Sequence, residues 1–115
     1  MAEPYLEHLS QMVDGLEPLQ IRGVTLECKH FFNGAALYAN GKIGASLSPA
    51  GFAVKLSEAQ RRGLISDGKG AEFRFFPNGP IKRDYVALSE SVIQDKKILH
   101  KLIAESIRYV VHLPD

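Results

Sequence analysis

The sequence predicts an α+β domain in which helices pack on one face of an antiparallel sheet. The two ends of the 115-residue chain have the hydrophobic spacing of amphipathic helices, whereas much of the middle alternates as strands do. The connections between successive strands are too short for crossovers, so neighbouring strands must run antiparallel. The predicted order is α-β(3)-α-β(2)-α, a two-layer sandwich in one domain over residues 1–115.

The first helix is predicted over about residues 4–16. Its apolar residues fall on one side of a 3.6-residue helix, and Pro4 is tolerated in the first turn. Gly15 and Pro18 should end it. The apolar stripe consists of Tyr5, Leu6, Leu9, Met12, Val13 and Leu16.

The stretch from Val24 to Leu56 predicts a three-stranded antiparallel meander. Asn40-Gly41 tolerates the positive φ angles of a tight hairpin turn, and Ser48-Pro49-Ala50-Gly51 has the composition of a four-residue loop. Strict alternation in the first strand predicts one mostly apolar face. That face would carry Val24, Leu26, Cys28, His30 and Phe32.

The second half predicts a short helix, a hairpin and a long helix. Ser57 and Gln60 have the spacing of a capping box, which starts the short helix. A strand over residues 71–76 would turn at 77–80 and return over 82–88, with Phe73 and Phe75 on one face. The long helix is predicted over about residues 95–112 from a continuous apolar stripe.

The totals exclude several classes of protein. With 14 basic and 13 acidic residues, the net charge is +1, which requires neither DNA nor acidic lipid as a partner. A lone cysteine forms no internal disulfide, and the N-terminal residues lack the pattern of a signal peptide, so we expect a cytoplasmic protein. Apolar runs are far shorter than the roughly 20 residues of a membrane-spanning helix.

The charge is unevenly distributed, because residues 55–83 carry seven basic and three acidic groups. These basic residues belong to the second helix and the second hairpin, which adjoin each other in the predicted topology. They favour a patch that binds anions or nucleic acid, and the alternative is a solvated helix face and hairpin tip. The residues are Lys55, Arg61, Arg62, Lys69, Arg74, Lys82 and Arg83.

A two-layer domain leaves one sheet face without helices, and that face is a candidate interface. If Phe31 and Phe76 point there, they form an apolar patch suited to self-association or to a protein partner. The alternative is that loops and a curled sheet cover both rings.

Cys28 and His30 are two residues apart on one strand face, an arrangement that a metal or a thiol enzyme could use. A metal site needs three or four ligands, and the other histidines have no matching spacing. A buried thiol beside a core-edge histidine is the favoured interpretation. The glycines match no nucleotide-binding pattern and the carboxylates form no catalytic pair, so we expect no enzyme, cofactor or metal.

The run from Lys29 to Lys42 resembles the opening signature of the TfoX N-terminal domain-like family. That family has an Arg-x-Met-Phe-Gly-Gly run, an aromatic-rich strand, an Asp-Gly or Asn-Gly turn and a Lys. This chain departs from it with Lys29 for Arg, Phe31 for Met, Asn33 for the first Gly and Ala36 for a later Gly. The matching positions are Lys29, Phe32, Gly34, Tyr38, Asn40, Gly41 and Lys42.

The resemblance covers about residues 3–112 and implies a fold like that of the secretion chaperones, in a small stand-alone member. In full-length competence regulators of that family, a second, helical domain follows this one. By analogy with those regulators, the resemblance implies a regulatory role related to competence or transcription. We therefore expect a non-catalytic domain that acts through contacts with a protein partner or with a second copy of itself, as a homodimer. The alternatives are an anion- or nucleic-acid-binding module and, last, a metal or thiol enzyme.

Overall fold

The sheet has six strands in a computed structural model of the chain, which describes residues 3–14 and 23–114. The prediction of an α+β domain with an antiparallel sheet is confirmed. The strands are β1 (Leu26–Phe31), β2 (Gly34–Ala39), β3 (Lys42–Ser48), β4 (Gly51–Lys55), β5 (Gly70–Ala71) and β6 (Tyr85–Leu88). The helices are α1 (Glu3–Val13), α2 (Glu58–Ser66), α3 (Glu90–Gln94) and α4 (Lys96–Val111). The spatial order of the strands is β1-β2-β3-β4-β6-β5.

The meander has four strands, so the prediction of three was wrong. The missed reversal lies at Phe32-Asn33, between β1 and β2, where Phe31 pairs with Gly34. Phe32 has a φ of 53°, a backbone conformation that a bulky residue rarely adopts, so a turn with Phe32 at its first central position is not expected from sequence. Asn33-Gly34 is a common turn dipeptide, and the sequence analysis did not use it. The predicted turn at Asn40-Gly41 is confirmed, because both residues have positive φ angles.

Helices α1 and α4 pack on the same face of the sheet, which we call the helix face. Helix α1 lies against β1, β2 and β3, whereas α4 lies against β2, β3 and β4. A buried hydrogen bond of 2.7 Å from Ser106 Oγ to the Gly44 carbonyl ties α4 to β3. Gly44 has no partner in the register between β2 and β3, so this bond satisfies a carbonyl at a bulge. The buried core includes Leu9, Leu37, Phe52, Val54, Leu56, Val86, Leu99, Ile103 and Val110.

Helix boundaries follow the capping residues. Ser57 and Gln60 form the predicted capping box, with bonds of 3.3 and 3.2 Å between the two residues. Asp95 accepts a bond from the Ile98 amide and so begins α4 within one residue of the predicted start. Helix α3 precedes it and was not predicted. The predicted end of α1, at Gly15 and Pro18, lies outside the described residues.

The opposite face of the sheet, which we call the loop face, is partly covered by residues 72–84. The predicted strand over 71–76 is wrong beyond Ala71, although β5 pairs with β6 as expected. Phe73 and Phe75 share a side as predicted, but both pack onto the loop face beside Ala53 and Tyr85. A 2.7 Å bond from the Lys82 amide to the Phe73 carbonyl joins the two arms without extending the ladder.

Candidate interaction surface

Aromatic rings form a cluster on the loop face, and half of that cluster is buried. Phe73 lies 4.8 Å from Phe75 and 5.5 Å from Tyr85, measured between ring centroids. Phe75 meets Tyr85 edge to face at 5.6 Å, one of the favoured geometries for aromatic pairs. These rings are a second, small hydrophobic core.

The other half of the cluster is exposed to solvent. The Phe32 side chain is 66% exposed and the Phe76 side chain 52% exposed, with the two ring centroids 6.5 Å apart. The Phe32 ring lies 5.4 Å from the Phe75 ring, and a groove of about 370 Å³ runs beside Phe75 and Phe76. We call Phe32, Phe76 and this groove the aromatic surface. The groove is lined by Asn33, Pro49, Ala50, Arg74, Phe75, Phe76 and Pro77.

Tight backbone geometry holds both exposed rings in place. Phe32 occupies a two-residue turn that ends at the buried Gly34. A Cβ atom on Gly34 would lie 2.1 Å from the Leu47 carbonyl oxygen, so only glycine fits there. Phe76 begins a turn that is closed by a 2.9 Å bond from the Gly79 amide to the Phe76 carbonyl. The rings are therefore displayed by two separate turns.

The predicted interface pair, Phe31 and Phe76, is divided between two environments. Phe76 is exposed, whereas Phe31 is half-buried on the loop face, 5.8 Å from Phe75. The alternation that placed Phe32 on the apolar face of the first strand was wrong, because β1 ends at Phe31. The turn carries Phe32 to the same side as Phe31, because the two ring centroids are 4.3 Å apart and both rings contact Phe75.

The basic segment is only partly gathered. Arg61, Arg62, Lys82 and Arg83 line one cleft of about 170 Å³. Glu58 and Glu72 line the same cleft, so four cations face two carboxylates there.

Several of the basic side chains already have partners. The guanidinium of Arg61 donates to the Leu56 carbonyl, and Arg62 lies 3.7 Å from the Glu58 carboxylate. Lys55 lies outside the cleft, 3.7 Å from Asp84 and over the Tyr85 ring. Arg74 lines the groove of the aromatic surface, and Lys69 lies between α2 and β5.

Cys28 and His30 are not brought together as a site. Cys28 is half-buried, and this burial raises the pKa of its thiol, against the smaller effect of a hydrogen bond with Ser10. His30 lies on the same face of β1 as Leu26 and Cys28, but it is exposed, so the expected core-edge histidine is not buried. Within residues 3–14 and 23–114, no group of three or more His, Cys, Asp or Glu residues is arranged to hold a metal ion.

A larger cavity, of about 530 Å³, was missed by the sequence analysis. Its walls come from α1, the end of β3, the start of β4, α3 and the start of α4, and residues so far apart in sequence give no common pattern. The lining contains both apolar and polar side chains. The lining includes His8, Gln11, Met12, Leu47, Phe52, Glu90, Ile93, Gln94, Lys96 and Leu99.

The residues that carry the family resemblance make contacts that shape the fold. Asn40 Oδ1 accepts a 2.8 Å bond from the Thr25 amide, and Gly41 completes the turn. Lys42 donates to the Leu113 carbonyl beyond the end of α4, and Lys29 lies over the Tyr38 ring. These contacts lie at the β2–β3 turn, between β1 and β2, and beside the residues that follow α4.

No family model matches the chain, and no curated protein matches it significantly. Among the helices that the structure describes, none is long and apolar enough to cross a membrane.

Proposed function

We propose that this chain is a non-catalytic cytoplasmic domain, similar to the TfoX N-terminal module, that acts by binding another protein through the aromatic surface. The observation that carries the proposal is the pair of exposed rings at Phe32 and Phe76 beside a groove. The resemblance adds a regulatory role related to competence or transcription.

Physical chemistry supports a binding role for these rings. Exposed aromatic side chains that adjoin one another mark interaction sites more often than scattered apolar residues do. Aromatic residues are also enriched among the few residues that dominate binding energy at interfaces. The positive φ of Phe32 costs on the order of 1–3 kcal/mol, and such strain is concentrated at functional positions.

The groove defines the chemistry of the partner. Pro49, Ala50 and Pro77 give it apolar walls, and Arg74 supplies a positive charge at the same place. A short peptide segment with a large apolar side chain next to a carboxylate would match both features. An apolar anchor would contact Phe76 while the carboxylate pairs with Arg74.

A displayed peptide library tests the proposal. Peptides selected on the wild-type protein should bind at least about tenfold more weakly to the double variant Phe32→Ser/Phe76→Ser, because the apolar contact area is lost. Ile65→Ser is the matched control, since Ile65 is exposed to 43% but lies on α2. Equal binding to the double variant, or failure to select any peptide, contradicts the proposal.

Anion or nucleic-acid binding is the second candidate function, favoured by the four cations that line one cleft. If the cleft binds phosphates, the affinity for a generic DNA duplex should fall steeply with salt. Arg83→Glu should weaken this binding, whereas Lys69→Glu, outside the cleft, should change it less. Undetectable binding at low salt eliminates this candidate.

A further inference from the structure

We propose that the edge strand β1 pairs with β1 of a second copy of this chain, antiparallel and with the twofold axis at Cys28. This proposal concerns a different surface from the aromatic surface and does not depend on the proposed function. It joins two six-stranded sheets into one.

Strand β1 is the longer of the two edge strands in the described part of the sheet. Within the described residues, β1 pairs on one side with β2 and no strand pairs with its other side. The opposite edge, β5, has two residues, whereas β1 has six and contains no proline. An edge strand of this length presents backbone donors and acceptors for another strand.

The backbone of β1 determines which groups face outward. The Thr25 carbonyl accepts a 2.9 Å bond from the Asn40 amide, so Thr25 belongs to a hydrogen-bonded pair with β2. Hydrogen-bonded and non-hydrogen-bonded pairs alternate along an antiparallel ladder. Residues 27, 29 and 31 therefore point their backbone groups toward β2. Leu26, Cys28 and His30 point theirs away from it.

The twofold axis could lie near the middle of β1 in three registers, at Glu27, at Cys28 or at Lys29. The charges of Glu27 and Lys29 favour one of these registers. Glu27 and Lys29 are exposed, on the same side of the strand, with Nζ and Oε1 3.7 Å apart. A twofold axis at Cys28 places each Glu27 opposite Lys29 of the second copy, so both charge pairs are favourable. An axis at Glu27 or at Lys29 instead places like charges directly opposite each other, which is destabilising.

The backbone bonds agree with this register. With the axis at Cys28, the outward groups of Leu26 meet those of His30 in the second copy, and the two Cys28 residues meet each other. About six interstrand hydrogen bonds result. Glu27 and Lys29 then form non-hydrogen-bonded pairs, in which the Cα atoms approach to about 4.5 Å.

Solution mass and charge reversal test the pairing. The wild-type chain should sediment at twice its 12.7 kDa mass, and a monomer at about 0.1 mM overturns the proposal. Glu27→Lys and Lys29→Glu should each weaken the dimer about tenfold or more, because every cross-strand pair becomes repulsive. A mixture of these two variants should form heterodimers, and a mixture that stays monomeric overturns the register.

Cysteine cross-linking locates the axis directly. In a Cys28→Ser background, Glu27→Cys mixed with Lys29→Cys should form a disulfide under mild oxidation, at least about fivefold more than either variant alone. Glu27→Cys mixed with Ser66→Cys, at the end of α2, measures random collision. Stronger cross-linking of either variant with itself moves the axis to that residue and overturns the proposal.

Discussion

The two faces of the sheet are buried by different means. The helix face is covered by two amphipathic helices, and its core residues are almost completely buried. The loop face is covered by residues 72–84, which have little regular structure and leave Phe32 and Phe76 exposed. A helix buries a continuous stripe, whereas an irregular segment buries individual side chains. The difference explains why two phenylalanine rings, Phe32 and Phe76, remain exposed at the loop face.

The strongest test of this comparison is to remove one buried side chain from each face. Phe73→Ala should lower the free energy of unfolding by about 3–5 kcal/mol and Ile103→Ala by about 2–5 kcal/mol, because each leaves a cavity in a packed core. Chemical denaturation measures both values. Phe76→Ala is the matched control and should cost less than about 1 kcal/mol. A small effect of Phe73→Ala would mean that the loop face has no true core.

A smaller effect is expected at the attachment of α4 to the sheet. Ser106→Ala removes the bond to the Gly44 carbonyl and leaves that buried acceptor without its partner. We expect a loss of about 1–3 kcal/mol in the free energy of unfolding. Ser66→Ala, at an exposed position on α2, should change it by less than about 0.5 kcal/mol. Equal effects of the two substitutions would contradict the structural role of this bond.

The loop face should also show a dependence on alkaline pH. Burial, and to a smaller extent the charge of Asp84 and the nearby Tyr38, raises the pKa of Tyr85 well above its usual range. The neutral phenol therefore stabilises the fold below about pH 10, and this contribution is lost as the pH rises above that value. Melting temperatures across this range should fall more for the wild type than for Tyr85→Phe. Parallel curves would contradict the assignment.

The smallest expected change is at Ser46, whose hydroxyl is buried without a hydrogen-bond partner in the described part of the chain. Ser46→Ala removes this unsatisfied group and keeps the volume nearly constant, so the variant should be as stable as the wild type or more stable by about 1 kcal/mol. Ser48→Ala is the control, because Ser48 is also buried but its Oγ accepts a hydrogen bond from the Ala50 amide. Thermal denaturation of the two variants compares the loss of an unsatisfied hydroxyl with the loss of a satisfied one. A clear loss of stability at Ser46 would indicate a bound water or another partner.

Much of the fold was predictable because its signals are local. The capping box at Ser57 and Gln60 and the turn at Asn40-Gly41 are properties of a few adjacent residues. The strand over 71–76 was wrongly predicted because hydrophobic alternation indicates which side chains are buried but not whether the backbone pairs with a neighbouring strand. Phe73 and Phe75 are both buried as the alternation predicts, although they lie outside the sheet.

The candidate site was less predictable, because it depends on contacts between distant segments. The aromatic surface joins the turn at Phe32 to the turn at Phe76, and the fold alone brings these residues to 6.5 Å. The basic residues show the same limit. Arg74 and Arg83 are nine positions apart, yet Arg74 lines the aromatic groove and Arg83 lines the cleft with the other cations.

The positive φ angle of Phe32 implies that a substitution at this position can raise the thermal stability of the protein. Asparagine and glycine adopt a φ of 53° far more readily than phenylalanine does, so Phe32→Asn should raise the melting temperature of the isolated protein. A phenyl ring at this corner therefore makes the folded state less stable than a common turn residue would. A protein that retains phenylalanine at this position has a lower melting temperature, in exchange for the contacts that the ring makes.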